Sequence, residues 1–297
     1  MRAGGDERLK RDHARARTLV RWYYTGLLLV ALQHLTWWKY YLGLREIQPL
    51  WPIFWAPPGS GRAAAIVLAL FVGGALAAAL LPHRRLARVA AFAGCLEFFA
   101  FNSSFGSIRH VNHLLMLTTF MLVFLPREPV AADLSDEDRR AYLRAFWGAQ
   151  CAALLTYSMA GFVKLATGVV HLLTGQGGVL TPSAMALHAA NSAIRFGVEA
   201  PLAGLAVRLA GLGLPIYLAV IYVELFSLVI AFRPRLHRAW AILLVLMHVA
   251  IGLTLNLFFT PSILVVGVLF LASPFAPASS DARRAARDLP LLGRLTP

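Results

Sequence analysis

Residues 63–82 read AAAIVLALFVGGALAAALLP, twenty positions without a charged side chain. A helix of that length spans about 30 Å, the thickness of a bilayer's hydrocarbon core. Backbone amides in such a core must be paired within the chain, so only helices and closed barrels cross it. Barrel strands alternate apolar and polar residues in short segments, whereas this run is continuous. The fold class it dictates is all-α: a polytopic bundle of transmembrane helices.

Similar runs recur along the 297 residues, and eight segments qualify as spans: 20–38, 63–82, 87–106, 111–126, 145–165, 213–232, 239–258 and 260–275. Charged residues make up 14% of the chain, against about 25% in a soluble domain. The expected organisation is a single membrane domain over 20–275. A basic arm, 1–19, precedes it, and a short basic tail, 276–297, expected to be disordered, follows.

The formal net charge of +14 could suit nucleic acid, but its placement argues otherwise. Basic residues gather at the ends of apolar runs: Arg8 to Arg21, then Arg84, Arg85 and Arg88, then Arg233, Arg235 and Arg238, then Arg283, Arg284 and Arg287. Lys and Arg concentrate in cytoplasmic loops. Both termini are therefore expected in the cytoplasm, in a bacterial inner membrane, with the N-terminal arm on anionic headgroups. Cys95 and Cys151 both lie inside apolar runs, with no disulfide or metal-type spacing. No cleavable signal is expected.

Local signals fix several landmarks. Ser135 followed by Asp138 has the form of a capping box. TGQGG at 174–178 reads as a turn. TPSAMALHAANSAIRFG after it reads as a helix capped by Ser183 or Thr181, lying across the outer mouth of the bundle. Trp51 and Trp55 suit the headgroup level.

A charge at mid-bilayer costs roughly 2.5–3.5 kcal/mol, so each polar residue within a span requires an explanation. His34, Glu97, Asn102, Asn112, His113, Lys164, Glu224 and His248 are such residues, and Gln33, His110 and Asn256 accompany them. Under the expected orientation most fall in the outer half of the membrane, which points to one polar cavity opening away from the cytoplasm. Each also has a structural reading. Lys164, near the end of its expected span, could snorkel to the interface. His113 could pair locally at a helix start, and the two glutamates could serve packing. Burial disfavours an ammonium, and a neutral amine is a usable general base. A histidine could relay the proton and a glutamate could hold positive charge. No nucleophile elbow, P-loop or zinc motif is present.

LEFFAFNSSFGSIRHVNHLLMLTTFMLVFLP (96–126) resembles the third and fourth spans of the vitamin K-dependent γ-carboxylase-like family, also called the horizontally transferred transmembrane (HTTM) family. TYSMAGFVKL (156–165) is similar to its motif of an aromatic, then Ala-Gly, then a lysine followed by leucine. VELFSLVIAF (223–232) and LLVLMHVAIGLTLNLFFTPSILVVGVLFL (243–271) resemble its later spans. The resemblance implies that Lys164 is a catalytic base acting on a reduced vitamin K or menaquinone-like quinol. Oxygen then turns the quinol into a stronger base, which removes a γ-proton from a glutamate side chain, and carbon dioxide traps the carbanion. Asn112 and His113 match an Asn-His pair near that active site. Glu97, Asn102, Glu224, His248 and His34 are the residues expected to complete a cofactor-binding cavity.

The sequence departs from the family after Lys164, where ATGVVHLLTGQGG replaces a short acidic-aromatic stretch with Trp and Gly. No counterpart of the large luminal region that binds a propeptide in the animal enzymes is expected after residue 275. A protein or peptide substrate is thus unassigned, and the expectation narrows to a quinone-like ligand between helices. The alternatives are a non-enzymatic bundle that binds or moves a lipid or quinone, and an accessory subunit of a membrane complex.

Overall fold

The computed structural model of the protein describes residues 3–36, 48–56, 61–105, 112–127, 134–277 and 281–295. Among them every regular element is helical and none is a strand. Two compact units emerge: Met1–Ala153 with Ala272–Phe275, and Leu154–Leu271 with Ala276–Pro297.

The first unit contains α1 (Ala3–Leu35), α2 (Gly61–Leu80), α3 (Arg85–Ser103), α4 (His113–Leu122) and the beginning of α5 (Asp136–Leu173). Helices α2 and α3 pack closely on each other. Two glycines permit it. A methyl group at Gly94 would lie 2.4 Å from the Leu70 carbonyl oxygen, and one at Gly74 would lie 2.4 Å from that of Ala90. The small-residue reading of VGGALAAALL thus holds at the backbone level. Phe71 and Phe98 stack at 5.0 Å across the same contact. Tyr23 ties α1 to α4 through its hydroxyl, 2.7 Å from Thr119 Oγ1 and 3.0 Å from the Leu115 carbonyl.

Arg88 differs from its neighbours in the basic cluster. It is wholly buried, donating to the Pro82 carbonyl at 2.7 Å and to the Leu125 carbonyl. Its guanidinium serves carbonyls that lie just past the ends of α2 and α4. Ser135 and Asp138 form the expected box reciprocally: Asp138 N donates to Ser135 Oγ, and Ser135 N donates to Asp138 Oδ2, both at 3.2 Å.

The second unit holds the remainder of α5, then α6 (Ala184–Phe196), α7 (Ala203–Arg208), α8 (Gly213–Leu225), α9 (Ser227–Ala231), α10 (His237–Leu255), α11 (Thr260–Val266) and α12 (Ala282–Arg287). Gly175, in the expected TGQGG turn, takes a left-handed φ of 69°. Helix α6 starts after Ser183, yet no side chain caps it.

Among the described residues, four helical segments are long and apolar enough to cross a membrane: Gly61–Leu80, Arg85–Ser103, Asp136–Leu173 and Pro234–Leu255. The other four expected spans take different forms. Segment 20–38 is mostly the continuation of the basic arm, because no breaker separates the two parts of the 33-residue α1. Segment 111–126 yields the ten-residue α4. Segment 213–232 breaks at Phe226 into α8 and α9. Segment 260–275 changes from α11 to a π turn over Gly267–Leu271.

Two further expectations are corrected. Lys164 does not end its helix: α5 is 38 residues long and runs on to Leu173, because ATGVVHLL is apolar and contains no proline. The tail is not disordered over its described residues. Asp281 caps α12 by accepting from Arg283 N at 3.0 Å and Arg284 N at 3.4 Å. Tyr222 then donates to the Pro290 carbonyl at 2.7 Å, and Arg233 to that of Asp288.

The α2–α3 contact predicts opposite signs for two alanine substitutions. Gly94→Ala overpacks the crossing and costs about 1–3 kcal/mol. Gly73→Ala meets nothing within 4 Å and is neutral or stabilising by up to about 1 kcal/mol. Thermal unfolding of both variants in detergent checks the pair.

Candidate functional site in the second unit

The stretch YSMAGFVKL lies within α5, and its spacing decides what it does. At 3.6 residues per turn, positions 157, 161, 164 and 168 fall on one narrow stripe of the helix. Tyr157, Gly161 and Gly168 on this stripe are buried, while Met159, Phe162 and Val163 are exposed on the other faces. Lys164 is thus set on the packed side of an otherwise lipid-suited helix.

Gly161 is the point of closest approach. A methyl there would sit 2.5 Å from Leu225 N and 2.9 Å from Glu224 Cβ. The end of α8 therefore rests directly on the α5 backbone. One turn along α5, the Lys164 ammonium donates to Glu224 Oε1. The lysine side chain keeps 34% of its surface accessible and the glutamate only 5%. Pairing is what makes a carboxylate tolerable at that burial.

Ser158, beside Tyr157, explains the break in α8. Its hydroxyl donates to the Leu225 carbonyl at 2.8 Å and accepts from Leu228 N at 2.9 Å. A side chain inserted into the hydrogen-bond ladder interrupts a helix without leaving its groups unpaired. Ser227, just after the break, donates back to the Val223 carbonyl at 2.8 Å and accepts from Trp240 Nε1 at 3.0 Å.

Tyr157 reaches the other way. Its hydroxyl lies 2.7 Å from His248 Nε2, with the side chain of Ser262 close by. His248 in turn lies 5.0 Å from the Phe259 ring. Lys164 is within electrostatic reach of His248 and His188, and Glu224 within reach of Tyr157 and Tyr217. His188, exposed on α6 outside the spanning helices, has its ring 5.7 Å from that of Tyr217. Its imidazole is held below the usual histidine range, first by partial desolvation and then by the Lys164 charge.

Two atoms in this cluster stand apart. Glu224 Oε2 and His248 Nδ1 are buried without a hydrogen-bond partner, on side chains of residues only 4% and 5% exposed. Such groups are costly unless something satisfies them. The site thus offers one carboxylate acceptor and one imidazole nitrogen, next to a cation and a phenol. That set can hold and exchange protons with a hydroxyl-bearing ligand. No His, Cys, Asp and Glu grouping suited to a metal occurs among the described residues.

The structure brings together three expected residues, Lys164, Glu224 and His248. Asn256, another polar residue noted in the sequence, ends α10 in the left-handed conformation, with φ 53°. The first unit holds the other five expected site residues. His34 is half-buried, its ring 4.6 Å from that of Phe98. Glu97 accepts from Trp55 Nε1 at 3.2 Å, which gives it a positioning task on the 53–55 turn. Asn102 and Asn112 are buried, and His113 is half-buried at the start of α4. His110 lies outside the described residues. Sequence reasoning missed Tyr157, Ser158, Ser262, Tyr217 and His188. For Tyr157 a signal existed: it precedes Lys164 by seven residues, two helical turns on the same stripe.

The class of molecule so defined is, among the described residues, an all-helical protein with four membrane-length apolar helices and a buried polar cluster in its second unit. Compared with known proteins, the chain matches no family model, no curated protein and no solved structure.

Two outcomes follow from this geometry. K164M and E224Q each destabilise the protein, and the double variant loses less than their sum, with a coupling of about 0.5–3 kcal/mol; a double-mutant cycle on thermal unfolding in detergent measures it. K164M also raises the titration midpoint of His188 toward the usual histidine value, because a nearby positive charge is removed. NMR of the His188 ring in wild type and K164M reads that shift directly.

Proposed function

We propose that this chain is an integral membrane protein of the vitamin K-dependent γ-carboxylase-like type, which binds a lipophilic quinol at Lys164, Glu224 and His248. In this reading it crosses a bacterial inner membrane with both termini in the cytoplasm. The observation that carries the binding reading is the pair of partnerless buried atoms, Glu224 Oε2 and His248 Nδ1, beside the Lys164 ammonium. Their chemistry suits a reduced naphthoquinone, whose hydroxyls can donate to a carboxylate and meet an imidazole.

Such a quinol supplies acidic hydroxyls and reducing electrons. The chain's own residues supply the proton handling. Glu224 Oε2 is the acceptor at hand, and Lys164 holds the negative charge that results. The Lys164–Glu224 pair can also transfer its shared proton internally, which leaves the lysine as the neutral amine that a general base requires. Tyr157 fixes the His248 ring by its bond to Nε2; where the phenol donates, Nδ1 carries the ring proton. The exposed Met159, Phe162 and Val163 keep the rest of this helix face compatible with lipid. Carboxylation with carbon dioxide and oxygen is that family's chemistry, and what supports it here is the resemblance of YSMAGFVKL and of the other quoted segments.

The second reading is a bundle that binds or moves a quinone or lipid without turnover. The closed Lys164–Glu224 pair favours it, since a lysine engaged by a carboxylate is poised to hold charge rather than remove a proton. Mass spectrometry of lipids co-purified with wild type, K164M and E224Q tests the shared core of both. A quinone retained by wild type and depleted by at least about tenfold in the variants is the expected result, corresponding to about 1.4 kcal/mol of binding. Equal retention in all three removes the ligand assignment.

A further inference from the structure

The basic segment before α10 and the docked tail enclose a cleft of about 400 Å³ within the second unit. This is within the size range of ligand pockets. Arg235 and Arg238 stand on it, while Leu236, Ala239, Pro277 and Leu289 give it an apolar lining. Its position is set by the chain. Residues 235–239 open the spanning segment Pro234–Leu255, and Pro277 lies just beyond the apolar stretch Thr260–Leu271. The cleft is therefore at the boundary where hydrocarbon gives way to headgroups.

The charge around it is one-sided. Segments 233–238 and 281–289 contain six arginines and two aspartates. Asp281 is taken up by Arg284 at 3.2 Å. Asp288 faces Arg235 at 3.4 Å, with the arginine side chain 55% exposed, so the pair is loose and worth little. Arg238 has no ion-pair partner among the described residues. A guanidinium pair above an apolar floor matches one ligand chemistry: a phosphodiester carrying acyl chains.

We propose that this cleft is a binding site for one anionic phospholipid, its phosphate on Arg235 and Arg238 and an acyl chain along Leu236, Ala239, Pro277 and Leu289. The tail forms one wall, held by Tyr222 on the Pro290 carbonyl at 2.7 Å and Arg233 on that of Asp288. Docking of the tail and lipid occupancy are thus coupled. This site is independent of the Lys164–Glu224 cluster and of any quinol.

The test uses the full chain, purified in detergent and reconstituted into nanodiscs of phosphatidylcholine with phosphatidylglycerol, with retained lipid read by native mass spectrometry. Wild type is expected to keep one phosphatidylglycerol. Each basic residue near a membrane surface contributes about a fivefold factor, so R235Q/R238Q weakens retention by about 25-fold. R283Q/R284Q removes equal charge from the same surface through side chains that do not line the cleft and weakens retention clearly less, and R235K/R238K restores most of it. A286W fills the cleft with both arginines kept, and it also releases the lipid. Equal loss in the two glutamine pairs, retention surviving A286W, phosphatidylcholine held as firmly as phosphatidylglycerol, or displacement by millimolar inorganic phosphate would each overturn the assignment.

Discussion

The candidate site depends on an absent side chain. Because Gly161 has no Cβ, the Leu225 amide and the Glu224 side chain can lie against the α5 backbone. That contact places the Glu224 carboxylate within reach of Lys164, one turn further along α5. An added methyl at 2.5 Å from a backbone nitrogen cannot be absorbed by a rotamer change, since the neighbour is main chain. The ion pair is thus a consequence of helix packing, and its two charges meet because a glycine, not an attraction, brought the helices together. The same economy operates between α2 and α3 at Gly74 and Gly94. In an apolar medium close packing replaces the hydrophobic drive that water would supply.

Polar side chains in these helices are accounted for by the same constraint. A donor or acceptor placed in hydrocarbon must find a partner inside the protein. Ser158 spans the break between α8 and α9, Ser227 accepts from Trp240 Nε1 at 3.0 Å, and Tyr23 joins Thr119. Against that background a partnerless buried atom stands out. Glu224 Oε2 and His248 Nδ1 occur together in one cluster; the Tyr24 hydroxyl, in the first unit, is another. Such atoms are where a ligand or an ordered water is to be sought.

What the sequence made legible follows from what is local. Hydropathy alone identified a helical chain with membrane-length apolar segments, and four of the eight segments have that length and character in single helices. The Ser135–Asp138 box was legible because its partners are three residues apart. The break at Phe226 was not, because its cause is the hydroxyl of Ser158, seventy residues from Leu228 along the chain. The docked tail was hidden for the same reason: Tyr222 and Pro290 are 68 residues apart. Composition assigned the tail to solvent, yet long-range contacts hold its described part. Of the site, Lys164, Glu224 and His248 were found by asking which polar residues were expensive. Tyr157 and Ser158 were overlooked because a phenol and a hydroxyl raise no such alarm in an apolar run.

Whether Lys164 reaches outward to the interface or inward to a partner decides between a bland and a chemical role. A snorkelling lysine needs an exposed face and no carboxylate. Here the exposed residues of this part of α5 include Phe162 and Val163, and Lys164 follows the buried stripe of Tyr157, Gly161 and Gly168. Its ammonium ends on a glutamate that is itself 5% exposed. A neutral pair lowers the cost of each charge, but it engages only one oxygen of the carboxylate. Structural neutralisation alone leaves Glu224 Oε2 unused and His248 Nδ1 unexplained. The cluster therefore carries more polar capacity than a brace between two helices uses, and that surplus is what motivates the ligand reading.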